Sequence, residues 1–348
     1  MEHFIKYVHI NNFKSIADLK LEDCRRINLF LGYPNVGKSN ILEALSLFSV
    51  PFLEMGDNLK KLVRVKTKNE LFYDLQNAQC EIETNLIKAT LAEDIRNFVI
   101  RFDSDILEWD NGVKILVNNI FDEDFKLKQR NIGFWEKFQK KSCGIKRYTF
   151  VQNDDWKTSH YKFLLPPYGE NIVSVLSQEF LSEEKEVNKW IENEFKKYNL
   201  EYVLDESDNT IKSQKRLGGR RVRTLPYSSL ADTLQRLIFY KTAIASNKNS
   251  VLLFEEPEAH AFPPYIQTIM NDIIDAESNQ FFIVTHSPLV VNAFLEYEKL
   301  RKETSIYLFD YKNDQTTAKR LSDEEMELAY EYGDSLFFNL ENLLVDGH

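Results

Sequence analysis

The eight residues GYPNVGKS, Gly32 to Ser39, constrain this chain more than any other stretch, because they match G-x-x-x-x-G-K-S without a break. They follow an apolar run, INLFL at Ile27 to Leu31, and precede Ile41, Ala44, Leu45 and Phe48, which recur at i, i+3, i+4 and i+7. That context predicts a strand, a glycine turn and a helix. Glycines here let the backbone wrap a phosphate chain, free N–H groups gather at a helix amino end, and Lys38 reaches the terminal phosphates. Gly32, Asn35, Val36, Gly37, Lys38, Ser39 and Asn40 are the expected phosphate-binding residues, with Ser39 also a ligand of Mg2+.

Two later apolar runs end in residues with chemistry of their own. VLLFEEPEAHAFP, residues 251–263, closes a buried strand with two acids. A carboxylate at that end of a strand holds the hydration shell of magnesium in a P-loop protein, which is the expected role of Glu255. Glu256 then projects toward the γ-phosphate, where a carboxylate positions or deprotonates the attacking water. FFIVTHSP, residues 281–288, ends in a polar switch, and His286 is placed to hydrogen-bond the γ-phosphate. A single histidine after a strand is more often structural, and only the Glu-Glu strand upstream turns the reading toward function.

Around these motifs, residues 51–160 carry short β-like segments such as CEIET, NFVIRF, VKILV and RYTFV, separated by Asn, Asp and Gly turns, which predict an antiparallel sheet. Residues 170–200 turn helical, with Val187, Trp190, Ile191 and Phe195 on one face. After a strand-like EYVLD come helix at Ser229 to Ala245, strand at Val251 to Phe254, helix at Pro264 to Ile274 and strand at Phe281 to Thr285. The alternation predicts an α/β fold. Ser322 with Glu325 forms a capping-box pattern before an acidic helix. The expected division is residues 1–165 with the P-loop and β-rich region, 166–224 with helix and basic hairpin, and 225–348 with the later motifs.

That basic stretch is KSQKRLGGRRVR, where Lys212, Lys215, Arg216, Arg220, Arg221 and Arg223 flank a Gly-Gly turn. Three readings stay open: contact with nucleic acid, contact with nucleotide or a partner subunit, and a solvated face. The net charge of -10 argues against a broad nucleic-acid surface, so any such contact is local. Apolar runs fall far short of the roughly 20 residues that span a bilayer, and MEHFIKYVHINNFKSI lacks an export pattern, so a cytoplasmic protein is expected. Cys24, Cys80 and Cys143 are widely spaced and predict reduced thiols.

In order and spacing, NNFKSI, GYPNVGKSNILEAL, LLFEEPEAH and FIVTHSP resemble the ABC-type P-loop ATPases of the SMC, RecF and OLD-like group, above all its small bacterial members without long coiled-coil arms. The resemblance covers both ends of the chain well and residues 60–210 poorly. It implies an ABC-type head with an antiparallel β subdomain and a helical subdomain, binding ATP and Mg2+. It also implies Glu255 as the Walker B acid, Glu256 as the catalytic glutamate, Ala259 and His260 in the D-loop, and His286 as the switch histidine. The family's signature motif corresponds to PYSSLADTLQR, residues 226–236, where Ser228 and Ser229 would bind the γ-phosphate held by a second subunit. Leu230 stands where the family has glycine, and two serines that merely cap a helix are the plainer alternative. For the Q-loop glutamine the candidate is Gln76, in FYDLQNAQ, with a solvated loop glutamine as the plainer alternative.

By resemblance the chain is a dimeric ATPase switch, a homodimer or higher homo-oligomer, that couples turnover to nucleic-acid sensing or processing in DNA repair or anti-phage defence. OLD-type nucleases carry a Toprim domain after the ATPase, whereas this chain stops at VDGH, so cutting would fall to a separate effector protein. No membrane partner is expected. The alternative is a non-catalytic module that binds ATP, assembles and holds an effector inactive.

Overall fold

The computed structural model describes residues 3–73, 79–94, 97–103, 117–130, 144–180, 186–205 and 207–345. Its backbone divides into two compact units that interleave along the chain. The first comprises Met1–Arg147, Asn249–Glu256 and Glu277–His348; the second comprises Tyr148–Lys248 and Pro257–Ala276.

At the heart of the first unit lies a six-stranded sheet in the order Gln315–Arg320, Thr304–Lys312, Ile27–Gly32, Gln280–Val284, Val251–Glu255 and Ile145–Tyr148. The strand Ile27–Gly32 is buried along its whole length, with parallel neighbours on both sides. A strand covered on both faces needs no polar alternation, which is why INLFL reads as an unbroken apolar run. The Phe30 ring meets Phe282, Tyr307 and Phe309 edge-on, at 5.9, 5.8 and 5.1 Å between centroids. One polar residue interrupts the run: Asn28 donates to Arg25 O and Phe281 O and accepts from Arg25 N, so its burial leaves no bond unmade.

A second, antiparallel sheet of seven strands opens with Ile16–Leu21 and Val8–Phe13 and continues through Gln79–Thr84, Lys88–Asp94, Asn97–Asp103, Val117–Phe121 and Leu127–Gln129. Here burial alternates, as in Asn97–Asp103, because one face packs inward and the other meets water. Both sheets contribute to one apolar core that includes Ile10, Phe30, Ile82, Ile100 and Phe282. The expected antiparallel sheet is present in CEIET and NFVIRF, and the first two strands of the chain belong to it; RYTFV does not, because Ile145–Tyr148 pairs at the edge of the six-stranded sheet, and VKILV up to residue 116 lies outside the described residues.

In the second unit, Glu201–Asp205, Thr210–Arg216 and Val222–Pro226 form a three-stranded antiparallel sheet. Its helices are Ile172–Phe180, Glu186–Lys196, Asp232–Ala245 and Pro263–Asp275. Val187, Ile191 and Phe195 supply the buried face of the second of these, as their spacing predicts. The capping box of Ser322 and Glu325 closes the start of the first unit's helix Asp323–Tyr332.

Candidate functional site

The loop Tyr33–Gly37 leaves the strand Ile27–Gly32 and enters the helix Lys38–Ser46. Gly37 has φ +95°, and a Cβ there would collide with the hydroxyls of Thr316 and Ser15. Those hydroxyls bond each other at 2.6 Å, and Asn40 Nδ2 donates to Ser15 Oγ at 2.7 Å. The turn NNFKSI therefore braces the P-loop directly, and only glycine fits beneath the brace. Among the described residues no side chain caps the amino end of the helix, which is where a P-loop presents amides to a ligand.

Lys38 is buried and folds back over the loop, donating to Gly32 O at 2.8 Å and Tyr33 O at 2.6 Å. Burial pushes its ammonium down to about 8, partly offset by the nearby Glu256 carboxylate. Ser39 Oγ donates to Glu255 Oε1 at 2.5 Å. This hydroxyl and carboxylate are the kind of oxygen donors that Mg2+ takes, so the residues fit the ion. Desolvation disfavours the charged form of Glu255, but Arg147, Ser39 and Arg64 outweigh it and hold the carboxyl below its usual range.

Glu255 and Val284 are register partners in adjacent parallel strands, and Glu256 N donates to Val284 O at 2.9 Å. The two strands thus end together and bring Glu256 to His286, with 3.5 Å between Oε1 and Nε2. Both side chains are exposed, and Glu256 has φ +45°. Desolvation, then the Lys38 charge, lower the affinity of His286 for a proton, against a smaller pull from Glu256. Lys38, Ser39, Glu255, Glu256 and His286, from three separate stretches of the sequence, all lie in the first unit, where Ser39 meets Glu255 and Glu256 meets His286 and the charge of Lys38.

The family described as "AAA domain, putative AbiEii toxin, Type IV TA system" matches residues 27–292, a span that contains every one of these groups. The chain belongs to that family. The chain is also 37% identical over 70 residues to the DNA replication and repair protein RecF of Caldanaerobacter subterraneus, covering 20% of the chain and 19% of the relative. It is 32% identical over 83 residues to an ATP/GTP phosphatase of Helicobacter pylori, 22% of each. The chain spans about a fifth of the length of these relatives. Among solved structures, the Smc head domain with an extended coiled coil, bound to the C-terminal domain of ScpA from Pyrococcus furiosus, superposes with a TM-score of 0.54. The identity is 13%, covering 94% of this chain and 98% of that one. A SmcHead bound to the C-winged helix domain of ScpA gives 0.53 at 14% identity, over 93% and 99%. The fold is that of the ABC-type P-loop ATPases of the SMC and RecF group.

Elsewhere in the chain, the candidate signature segment differs from its sequence reading in one respect. The helix begins at Asp232, not at Ser229, and Ala231 stands at its N-cap. Tyr227–Ser229 form a separate 3-10 turn, after which Leu230 runs extended with its side chain buried. Gln235 Nε2 holds Leu230 O at 2.9 Å, and Tyr227 Oη donates to Gln235 O at 2.8 Å, which keeps the break in place. Ser228 and Ser229 therefore do not cap the helix. Ser228 N donates to Asp154 Oδ1 at 3.0 Å, and Ser228 O accepts from Gln152, a glutamine that the sequence reading passed over.

The basic stretch forms the expected hairpin in the second unit, but its six cations are not equivalent. Lys212 is bound by Asp205 and Asp208, and Arg216 by Glu201 at 2.7 Å. Lys215, Arg220, Arg221 and Arg223 are exposed and make no ion pair among the described residues. Gln76 and Cys143 lie outside the described residues. Cys24 and Cys80 are free thiols, and burial pushes both up to about 12.

Sequence reasoning also missed a set of charges beside the P-loop. Glu43, on the same helix face as Ser39 and fully buried, binds Lys14 and accepts from Arg64 Nε at 2.5 Å. Arg64 lies 3.4 Å from Glu255 Oε1, and Arg147 Nη2 donates to Glu255 Oε2 at 2.7 Å. A glutamate inside the apolar pattern of NILEAL was a readable signal for Glu43; the segment IKRY contains none that singles out Arg147.

Proposed function

We propose that the protein binds ATP with Mg2+ and hydrolyses it as a homodimeric switch. The observation that carries this is the convergence of Lys38, Ser39, Glu255, Glu256 and His286 on the P-loop. Lys38 and the helix amides hold the β- and γ-phosphates. Ser39 and Glu255 hold Mg2+, which would supply charge neutralisation at the phosphates. Glu256 orients the attacking water and accepts its proton. His286 hydrogen-bonds the γ-phosphate and, through its contact with Glu256, reports the phosphate's departure.

Ser228 and Ser229 are proposed to complete the site of the other protomer, so that nucleotide state sets dimer geometry. In that role Asp232 in the first helical turn would repel phosphate; Arg236, 2.7 Å from it, offsets this charge. The hairpin cations Lys215, Arg220, Arg221 and Arg223, which meet no carboxylate among the described residues, support local contact with nucleic acid, and the likeness to RecF agrees with a role in DNA repair or defence beside a separate effector.

Glu256→Gln should leave ATP binding intact and lower turnover by roughly 10²–10⁴-fold, because the amide keeps the shape and loses the base. Phosphate release measures the rate, and light scattering should show dimers accumulating with ATP and Mg2+. Full turnover in this variant would move the base elsewhere. A wild-type protein that binds and assembles with ATP but never hydrolyses it would establish the non-catalytic assembly module instead.

A further inference from the structure

Lys14, Glu43, Arg64, Glu255 and Arg147 form one connected charge group in the first unit. Its two arginines differ. The Arg64 side chain is 65% exposed, whereas that of Arg147 is 7% exposed. Both terminal nitrogens of Arg147 are committed, Nη2 to Glu255 Oε2 at 2.7 Å and Nη1 to Leu62 O at 2.5 Å. Leu62 O also accepts from Ser46 Oγ at 2.9 Å, which ties it to the end of the P-loop helix. The Arg147 amide donates to Ser49 Oγ at 3.1 Å, and Ser49 Oγ donates to Ile145 O at 2.9 Å.

A guanidinium is a rigid planar fork. With one prong fixed on Leu62 O and the backbone pinned at Ser49, the other prong reaches Glu255 from one direction only. The two carboxylate oxygens are thereby divided, Oε2 to Arg147 and Oε1 to Ser39 at 2.5 Å, with the exposed Arg64 Nη2 farther from Oε1 at 3.4 Å.

We propose that Arg147 is a positioning residue of the nucleotide site: it anchors Glu255 Oε2 so that Oε1 stays turned toward Ser39, where a divalent cation takes its oxygen ligands. The inference rests on the P-loop reading given above. Partners that orient a metal-binding carboxylate are worth about 10–100-fold in metal affinity. Lys38 and the loop amides, which hold the phosphates, bond none of these atoms, so nucleotide affinity without metal should not depend on Arg147.

The test uses the full chain and a fluorescent ATP analogue, titrated first in EDTA and then with increasing Mg2+. Arg147→Met should bind the analogue in EDTA within about twofold of wild type. The Mg2+ concentration for half-maximal tightening should rise at least about tenfold. Arg147→Lys should fall between, since an ammonium restores the charge but not the fork.

If the Met variant does not fold, the pair Arg147→Met with Glu255→Gln removes the stranded carboxylate, and its Mg2+ requirement should equal that of Glu255→Gln alone. A further tenfold loss in the pair would place the action of Arg147 elsewhere and overturn the proposal. An unchanged Mg2+ requirement in folded Arg147→Met overturns it too, as does an equal loss with and without metal, which marks a general structural role. Wild-type protein that binds nucleotide without any response to Mg2+ removes the metal site that the proposal needs. Failure of wild type to bind nucleotide at all sinks the functional reading itself.

Discussion

Beside the P-loop, Lys14, Arg64 and Arg147 each lie against a carboxylate, whereas at the hairpin Lys215, Arg220, Arg221 and Arg223 meet none among the described residues. Lys215 even stands directly opposite Arg223 across the ladder. Like charges so placed destabilise a sheet, which is tolerable only where water screens them or an outside anion arrives. Inside the first unit the opposite constraint holds, because a buried charge without a partner costs several kcal/mol. The same residue types therefore serve two ends. Lys14 and Arg147, largely buried, and Arg64, exposed but paired, fix geometry around Glu43 and Glu255, while the hairpin cations remain available to a ligand.

The contrast breaks first at Glu43. Glu43→Ala strands Lys14, whose ammonium burial already pulls below its ordinary range against the support of Glu43. Unfolding by urea should show a loss of about 3–5 kcal/mol. A loss below about 1 kcal/mol would mean that water screens this pair as it does a surface one, and the distinction between the two regions would go.

Lys38 belongs to the buried side of the comparison but is spent on carbonyls, not on a carboxylate. Lys38→Ala should weaken ATP binding about a hundredfold, from charge-assisted bonds worth about 1.5–3 kcal/mol each. Its proton affinity, pushed down to about 8, adds a pH signature. Bound phosphates favour the ammonium, so binding takes up a proton once the free lysine begins to lose it. Affinity should be flat below pH 8 and fall above it, by at most about tenfold per unit, and the slope should vanish in Lys38→Ala. Unchanged affinity in the variant would overturn the loop's assignment.

The smallest effect is expected at the hairpin. Neutralising Arg220, Arg221 and Arg223 together should leave basal ATPase activity alone and weaken nucleic-acid binding. The salt dependence of that binding should flatten, its slope falling by about 0.9 for each phosphate that is no longer neutralised. Loss of basal hydrolysis with unaltered binding would transfer the cluster to the nucleotide or dimer interface.

Much of the candidate site could be proposed from sequence because its strands are buried on both faces. Runs such as INLFL, VLLF and FFIV carry no alternation, and each ends where the backbone leaves the sheet and a polar residue becomes useful. The antiparallel sheet was legible for the converse reason, its alternation. The start of the signature helix was misread because Ser228 and Ser229 look like caps, while the burial of Leu230 and its bond from Gln235 decide the break. Thr316 gave no sign of its place against Gly37, since the hairpin of Thr304–Lys312 and Gln315–Arg320 reaches the P-loop only through pairing across the sheet.

By itself the sequence determined the local devices: the phosphate-loop motif, whose glycines and lysine lie within a few residues of one another, and the two apolar strands that lead into Glu255, Glu256 and His286. Only the tertiary structure decided which charge meets which. Arg147 and Glu255 lie 108 residues apart, and their 2.7 Å bond exists because the strand Ile145–Tyr148 takes the edge position beside Val251–Glu255. Strand order and register are settled by packing of the whole sheet, and a one-residue slip would turn Arg147 to the other face.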